Sequence, residues 1–379
     1  RHGLRDAVAK PIPAGPSVGQ GAYLQSGCPF PLATLPTTRD LRLILLQALG
    51  AILLLATGGC GITNGSADTE TVEGMATPIK MVLKGAGASF PTPLFQRWFE
   101  ELANQGVRVK YLSVGSGVGI QQFLYNSVDF AASDVPMQAK DIATVPQGVV
   151  QIPMTAGAIA IAYNNPGCEL KLSRAQLVGL FTGAISNYSQ LGCAPKPIKV
   201  VVRSDGSGST ANITAHLAAI DGSWRQKVGT GKLVNWPVGA KAKGTEGLAK
   251  ELKEAVGALG YVDLSHVRAP LQSAALTNGS GLVVKPTPES MGEALAAIDV
   301  GPDLVGRNPN PQKGYPLVAM SWILLKKSGN GPTNHAAFTK VFGYALSEPA
   351  QAMAPELGFI SLPPALLEKG RAALATIQP

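Results

Sequence analysis

The chain has 379 residues, of which 45% are hydrophobic and 15% charged, with 44 Gly and 29 Pro. One core stops growing at roughly 250–300 residues, so this length predicts two lobes plus an extra segment, and the apolar content excludes disorder as the default state. The net charge of +8 comes from scattered Lys and Arg. No basic run with interleaved aromatics, no zinc-finger spacing and no recognition-helix pattern accompanies it, which turns the reading away from nucleic acid and leaves anion capture open.

The first elements in chain order are not fold. Residues 1–38 are rich in Pro, Gly and Ala without periodicity. Arg39-Asp40-Leu41-Arg42 then precedes Leu43–Thr57, which is almost wholly apolar. A bilayer span takes about 20 apolar residues, so this stretch has the anatomy of a signal peptide instead: basic flank, apolar middle, small-residue end. Ala56-Thr57-Gly58-Gly59-Cys60 resembles the bacterial lipobox, whose Cys is acylated, although that pattern prefers Leu where Thr57 stands. Lipid anchoring at Cys60 and plain secretion both fit; an uncleaved anchor helix fits the length less well. Residues 1–60 are therefore expected to be extension and signal, and residues 61–78, rich in Gly, Ser, Thr, Asp and Glu, a flexible tether. Export places the chain in a periplasmic or exterior compartment. With Cys28 and Cys60 set aside, Cys168 and Cys193 are then an even pair in an oxidising setting. A disulfide is expected between them, stabilising by roughly 3 kcal/mol on the chain-entropy model. Two separate buried thiols are the alternative.

Beyond the tether, strands alternate with helices. Ile79–Leu83 reads as a strand that enters Gly85-Ala86-Gly87-Ala88-Ser89-Phe90-Pro91. Leu94, Phe95, Trp98, Phe99 and Leu102 then recur at helical spacing, with Ser89 as a cap and Pro91 in the first turn. Val107–Val114 is the next strand, followed by Gly115-Ser116-Gly117-Val118-Gly119 and a helix through Tyr125. Val128–Ala132 ends at Ser133-Asp134-Val135-Pro136, and Val149–Tyr163 is a long extended run. Ser173 caps a helix through Phe181. Ile198–Val202 runs into Arg203-Ser204-Asp205-Gly206-Ser207-Gly208-Ser209 and a helix over 210–220. Strands at 258–264 and 317–326 and helices at 334–346 and 364–377 complete the pattern, which is that of an α/β fold.

Three junctions, 85–90, 115–119 and 206–209, open helices with Gly and Ser. The first turn of a helix carries unpartnered N–H groups and a dipole that favours negative charge, and glycines let that backbone approach a ligand. Arg203 adds a fixed, forked charge. Asp134 is the odd member, because a carboxylate repels an anion unless the anion brings a proton. Phosphate near neutral pH keeps an O–H to donate; fully ionised sulfate has none, and an unmatched buried acceptor discriminates by roughly 10⁴–10⁵. Each piece alone also has an ordinary reading: a Gly-rich turn, a helix cap at Ser89, a turn residue at Asp134, a surface ion pair between Arg203 and Asp205.

At these residues the chain resembles the phosphate-binding subunit of bacterial phosphate ABC importers. The resemblance rests on Gly85–Pro91, Tyr111–Gly119, Val128–Pro136 and Arg203–Ser209, in order. It implies an α/β, two-lobed periplasmic-binding-protein fold of type II, with the ligand between lobes joined by two crossover strands. It places lobe I at 79–153 plus 320–379 and lobe II at 154–319, with crossings near Pro153–Gly157 and Leu317–Ser321. By resemblance Ser89, Phe90, Ser116, Ser207, Gly208 and Ser209 donate to phosphate through hydroxyls or backbone. Asp134 accepts the phosphate proton, and Arg203 pairs with the anion, held by Asp205. The Phe90 ring is expected in the core. The implied partners are inorganic phosphate and a membrane permease; a monomer without cofactor or metal is expected.

An enzyme is the rival class. His2, His216, His266 and His335 show no metal-ligand spacing, and no phosphate-loop or nucleophile-elbow motif occurs. A receptor for another oxyanion and a phosphate sensor without an import partner are the remaining alternatives; Asp134 argues against sulfate and molybdate, while arsenate is protonated as phosphate is.

Overall fold

The computed structural model describes residues 81–379. The signal-like segment, Cys60, the tether and the first two residues of the expected strand Ile79–Leu83 lie outside them. Thirteen strands are labelled in chain order: β1 (Met81–Gly87), β2 (Val107–Ser113), β3 (Phe130–Ser133), β4 (Val149–Tyr163), β5 (Lys171–Leu172), β6 (Lys199–Arg203), β7 (Ala240–Ala242), β8 (Ala258–Asp263), β9 (Gln272–Ser273), β10 (Ala275–Thr277), β11 (Val283–Val284), β12 (Val318–Lys326) and β13 (Phe359–Ile360).

The main sheet runs β2-β1-β3-β12-β4-β8-β6-β7, with β9 and β13 also paired to β4. Strand β1 pairs in parallel with β2 on one side and β3 on the other, so the loops after these three strands leave from one edge. In the other half of the sheet, β6 pairs in parallel with β7 and β8, which gathers the loops after β6 and β7 in the same way. Ligands bind outside the carboxyl ends of strands where strand order reverses, and both halves present such an end. Two antiparallel strands join the halves. Val149–Ala158 of β4 pair with β12, while Ile159–Tyr163 of the same strand pair with β8. Residues 151–163 of β4 are buried throughout, which explains its continuous apolar reading in the sequence.

Each half has its own aromatic core. In the first, the Phe130 ring stacks on Tyr111 at 6.1 Å and meets Phe342 edge-on at 5.0 Å. In the second, Trp236 lies 5.4 Å from Phe181, 5.8 Å from Trp224 and 5.6 Å from Tyr261. Burying such a ring is worth about 2–3 kcal/mol.

Several expected boundaries shift for physical reasons. Strand β1 continues through Gly85-Ala86-Gly87 instead of ending at Leu83, because Gly85 leaves room for the Phe130 ring; a Cβ there would fall inside it. The helix Thr92–Ala103 is entered through Pro91, with no side-chain cap, so Ser89 does not have the capping role read from the sequence. Ser173 does cap the helix Arg174–Thr182, in a reciprocal capping box with Gln176. The helices Gly222–Lys227, Gly244–Glu254 and Pro288–Ala296 were not read from the sequence. Cys168 and Cys193 form a disulfide, with their Cα atoms 5.5 Å apart.

Candidate functional site

The loops after β1, β2, β3 and β6 meet at one place, and a fifth, after β7, joins them. Strand β6 ends on Arg203, whose side chain is 2% exposed. Its Nε donates to Asp205 Oδ1 at 2.7 Å, and Nη2 donates to Asp205 Oδ2, a bidentate pair with defined orientation. The Gly244 N–H donates to the same Asp205 Oδ1 at 3.0 Å. Burial pushes the Asp205 carboxyl up, but the Arg203 hydrogen bonds and charge outweigh it and hold the group below its ordinary value. The guanidinium is therefore aimed by a carboxylate that stays ionised. The surface ion pair allowed by the sequence is instead a buried one.

Ser207 is the N-cap of the helix Gly208–Ile220: its Oγ accepts the Thr210 N–H at 3.1 Å. Its own N–H is spent on the Lys232 carbonyl at 2.8 Å. What Ser207 retains for a ligand is the hydroxyl proton, while the first-turn N–H groups of Gly208 and Ser209 point out of the helix. Ser116 opens the helix Ser116–Leu124 and is fully buried; its Oγ accepts the Asp134 N–H at 3.2 Å, so its proton is likewise available. A Cβ on Gly208 would lie 2.6 Å from Ser116 Oγ and 2.8 Å from Asp134 Oδ2, which places the third helix start directly against both. Gly115, at φ +83°, occupies a left-handed conformation, and a Cβ there would fall 2.4 Å from Asp205 Oδ2.

Asp134 is 2% exposed. Burial pushes its carboxyl up to about 7; Ser321, the Arg203 charge and Ser116 pull it down, and Asp263 pushes it up. Ser321 Oγ donates to Asp134 Oδ1 at 2.6 Å. The pairing of β12 with β4 shifts register beside Ser321, at a bulge of the kind that re-aims side chains. Asp134 is thus a hydrogen-bonded acceptor with one oxygen occupied. Phe90 stands between Ser89 and Pro91, with its ring buried edge-on to Phe359 at 5.5 Å, in the core as expected.

Four contacts tie the two halves together across the site. Gly117 N–H donates to the Gly206 carbonyl at 2.7 Å, and Asn212 Nδ2 donates to the Asp134 carbonyl at 2.7 Å. Ser113 Oγ donates to Glu246 Oε1 at 2.9 Å, and Ser89 Oγ lies 2.9 Å from Thr245 Oγ1. The conformation is closed. All eight residues read from the sequence as anion contacts, with Asp205 behind them, lie on these converging loops.

Thr245 and Ser321 were missed. Thr245 follows Lys243-Gly244 at the end of β7, a fourth small-residue junction between strand and helix, but a three-residue strand carries almost no periodic signal. Ser321 had a clearer signal, as the lone polar residue inside the apolar run Val318–Leu325; a buried hydroxyl needs a partner.

Among the described residues no group of three His, Cys, Asp or Glu is arranged to hold a metal ion, and no helix is long and apolar enough to cross a membrane. What the geometry defines is a solute receptor: two linked α/β halves with donors from both converging on one place. Residues 62–349 match the family model described as a PBP superfamily domain. The chain is 34% identical over 312 residues to the phosphate-binding protein PstS of Pasteurella multocida strain Pm70, covering 78% of this chain and 90% of that one. It is 32% identical over 306 residues to PstS of Xylella fastidiosa strain 9a5c, covering 76% and 83%. Among solved structures it superposes on the periplasmic phosphate-binding protein PfluDING bound with phosphate, at a TM-score of 0.66 and 23% identity, covering 77% of this chain and 93% of that one. The chain belongs to the PstS family of phosphate-binding proteins within that superfamily.

Proposed function

We propose that this chain captures inorganic phosphate between its lobes and delivers it unchanged to the permease of an ABC-type importer. The observation that carries this reading is the company Asp134 keeps. Donors and one guanidinium make an anion site, and a buried carboxylate inside it demands an anion that still holds a proton. In this reading Ser89, Ser116 and Ser207 give hydroxyl protons, and Phe90, Gly208 and Ser209 give backbone N–H groups. Arg203 pairs with the anion while Asp205 holds it, and Asp134 accepts the phosphate O–H. Lobe I comprises 79–153 and 320–379, lobe II comprises 154–319, and the crossings are the adjoining parts of β4 and β12. The names of the two PstS relatives support the ligand. The chain works as an exported monomer, freely secreted or anchored at Cys60, and performs no chemistry.

Calorimetric titration of the ligand-stripped full chain with phosphate and with sulfate tests this. Tight phosphate binding without sulfate heat is the expected result. Equal binding of both anions sinks the role given to Asp134, and binding of neither sinks the site.

A further inference from the structure

Ser89 and Thr245 come from opposite sides of the site, and both are 2% exposed. A hydroxyl has one proton to give and two lone pairs to receive with. Ser89 Oγ receives the Thr245 N–H at 3.3 Å and lies 2.9 Å from Thr245 Oγ1, where either oxygen can donate. Thr245 Oγ1 is also 3.2 Å from Arg203 Nη1. A guanidinium only donates, so Thr245 Oγ1 is an acceptor there, and its single proton must go elsewhere.

Among the described residues the other hydrogen-bond partner of Thr245 Oγ1 is Ser89 Oγ. If Ser89 donated to Thr245, both Thr245 lone pairs would be filled, Ser89 would have nothing left for a ligand, and the anion contact would pass to the Thr245 proton. If Thr245 donates to Ser89, every group is matched: both Ser89 lone pairs are filled, and the Ser89 proton is released toward the site. With Ser89 as the donor to the anion, the matched arrangement runs Arg203 to Thr245 to Ser89 to anion.

We propose that Thr245 is a positioning residue that fixes the direction of the Ser89 hydroxyl proton toward the bound anion. The inference rests on the phosphate reading. It explains why a residue of lobe II can strengthen a donor of lobe I. The charge of Arg203 also polarises the two hydroxyls in series, which strengthens the last bond of the chain.

The test is a double-mutant cycle on the full chain, read by phosphate calorimetry. Thr245→Val keeps the branched shape and removes the hydroxyl; Thr245→Ser restores a hydroxyl; Ser89→Ala removes the donor. Thr245→Val is expected to weaken phosphate binding about 10-fold, in the range of a hydrogen bond to a charged group. Thr245→Ser is expected to recover most of that loss. The double variant Ser89→Ala with Thr245→Val is expected to bind about as well as Ser89→Ala alone, because Thr245 acts through Ser89. Additive losses, or failure of Thr245→Ser to recover binding, overturn the inference. Should Thr245→Val not fold, Thr245→Ala takes its place in the cycle, with the same two outcomes. Wild-type chain that binds phosphate, with an additive cycle, removes this inference alone; wild-type chain that does not bind phosphate removes the phosphate reading as well.

Discussion

Replacing Asp134 with Asn should stabilise the empty protein and impair the loaded one. In the unfolded chain the Asp134 carboxyl releases its proton at an ordinary value of 3.8, and in the folded, ligand-free chain at about 7. Between those values the folded state holds a proton that the unfolded state has lost. Stability is therefore fully present below 3.8 and is lost as pH rises through 7. At 1.36 kcal/mol per unit, the shift of roughly three units amounts to about 4 kcal/mol above pH 7. Asn carries no charge and escapes this penalty, while its carbonyl can still accept from Ser321. Urea unfolding of phosphate-stripped wild type and Asp134→Asn at pH 4.5 and 8.5 measures the difference. The advantage of the variant is expected to grow by about 3 kcal/mol between the two conditions. Phosphate affinity falls in the same variant, since Asn cannot serve as the anionic acceptor, and discrimination against sulfate narrows. A stability difference independent of pH would refute the reasoning. It would mean that the Asp134 carboxyl is solvated in the free protein, and burial would no longer explain selectivity.

Two further substitutions probe the scaffold. Gly208→Ala drives a methyl to within 2.8 Å of Ser116 Oγ and of Asp134, so closure around the anion must be strained. Phosphate affinity is expected to fall about 10- to 100-fold, matching 1–3 kcal/mol of overpacking, with small change in the unfolding midpoint of the stripped protein. Paired Cys168→Ser and Cys193→Ser changes open a loop closed across 25 residues. The chain-entropy model puts the loss at roughly 3 kcal/mol, read as a lower urea midpoint, with phosphate affinity unchanged because the bridge contributes no atom to the site.

The motifs were legible because their demands are local. Gly and Ser ahead of apolar helical spacing specify a strand-to-helix junction with unsatisfied N–H groups, wherever that junction lies in space. Arg203 and Asp205 lie two apart on one loop, so their pairing was legible too. The continuous apolar run of β4 announced a strand buried on both faces. Ser89 was read as a cap because a hydroxyl ahead of a helix serves many roles; the helix is entered at Pro91, and Ser89 meets Thr245, 156 residues away in sequence.

The sequence alone determined the α/β alternation, the three donor-bearing junctions, the Arg203–Asp205 pair and the presence of a carboxylate, Asp134, at the end of a strand beside them. These follow from spacing, backbone chemistry and charge, which act over a few residues. The tertiary structure decided the rest: that Ser321 on a bulged crossing strand holds Asp134, that burial pushes that carboxyl toward neutrality, and that Thr245 faces Ser89 across the closed seam. Proton direction and desolvation depend on which distant groups share a low-dielectric space, and no local pattern in a chain encodes that.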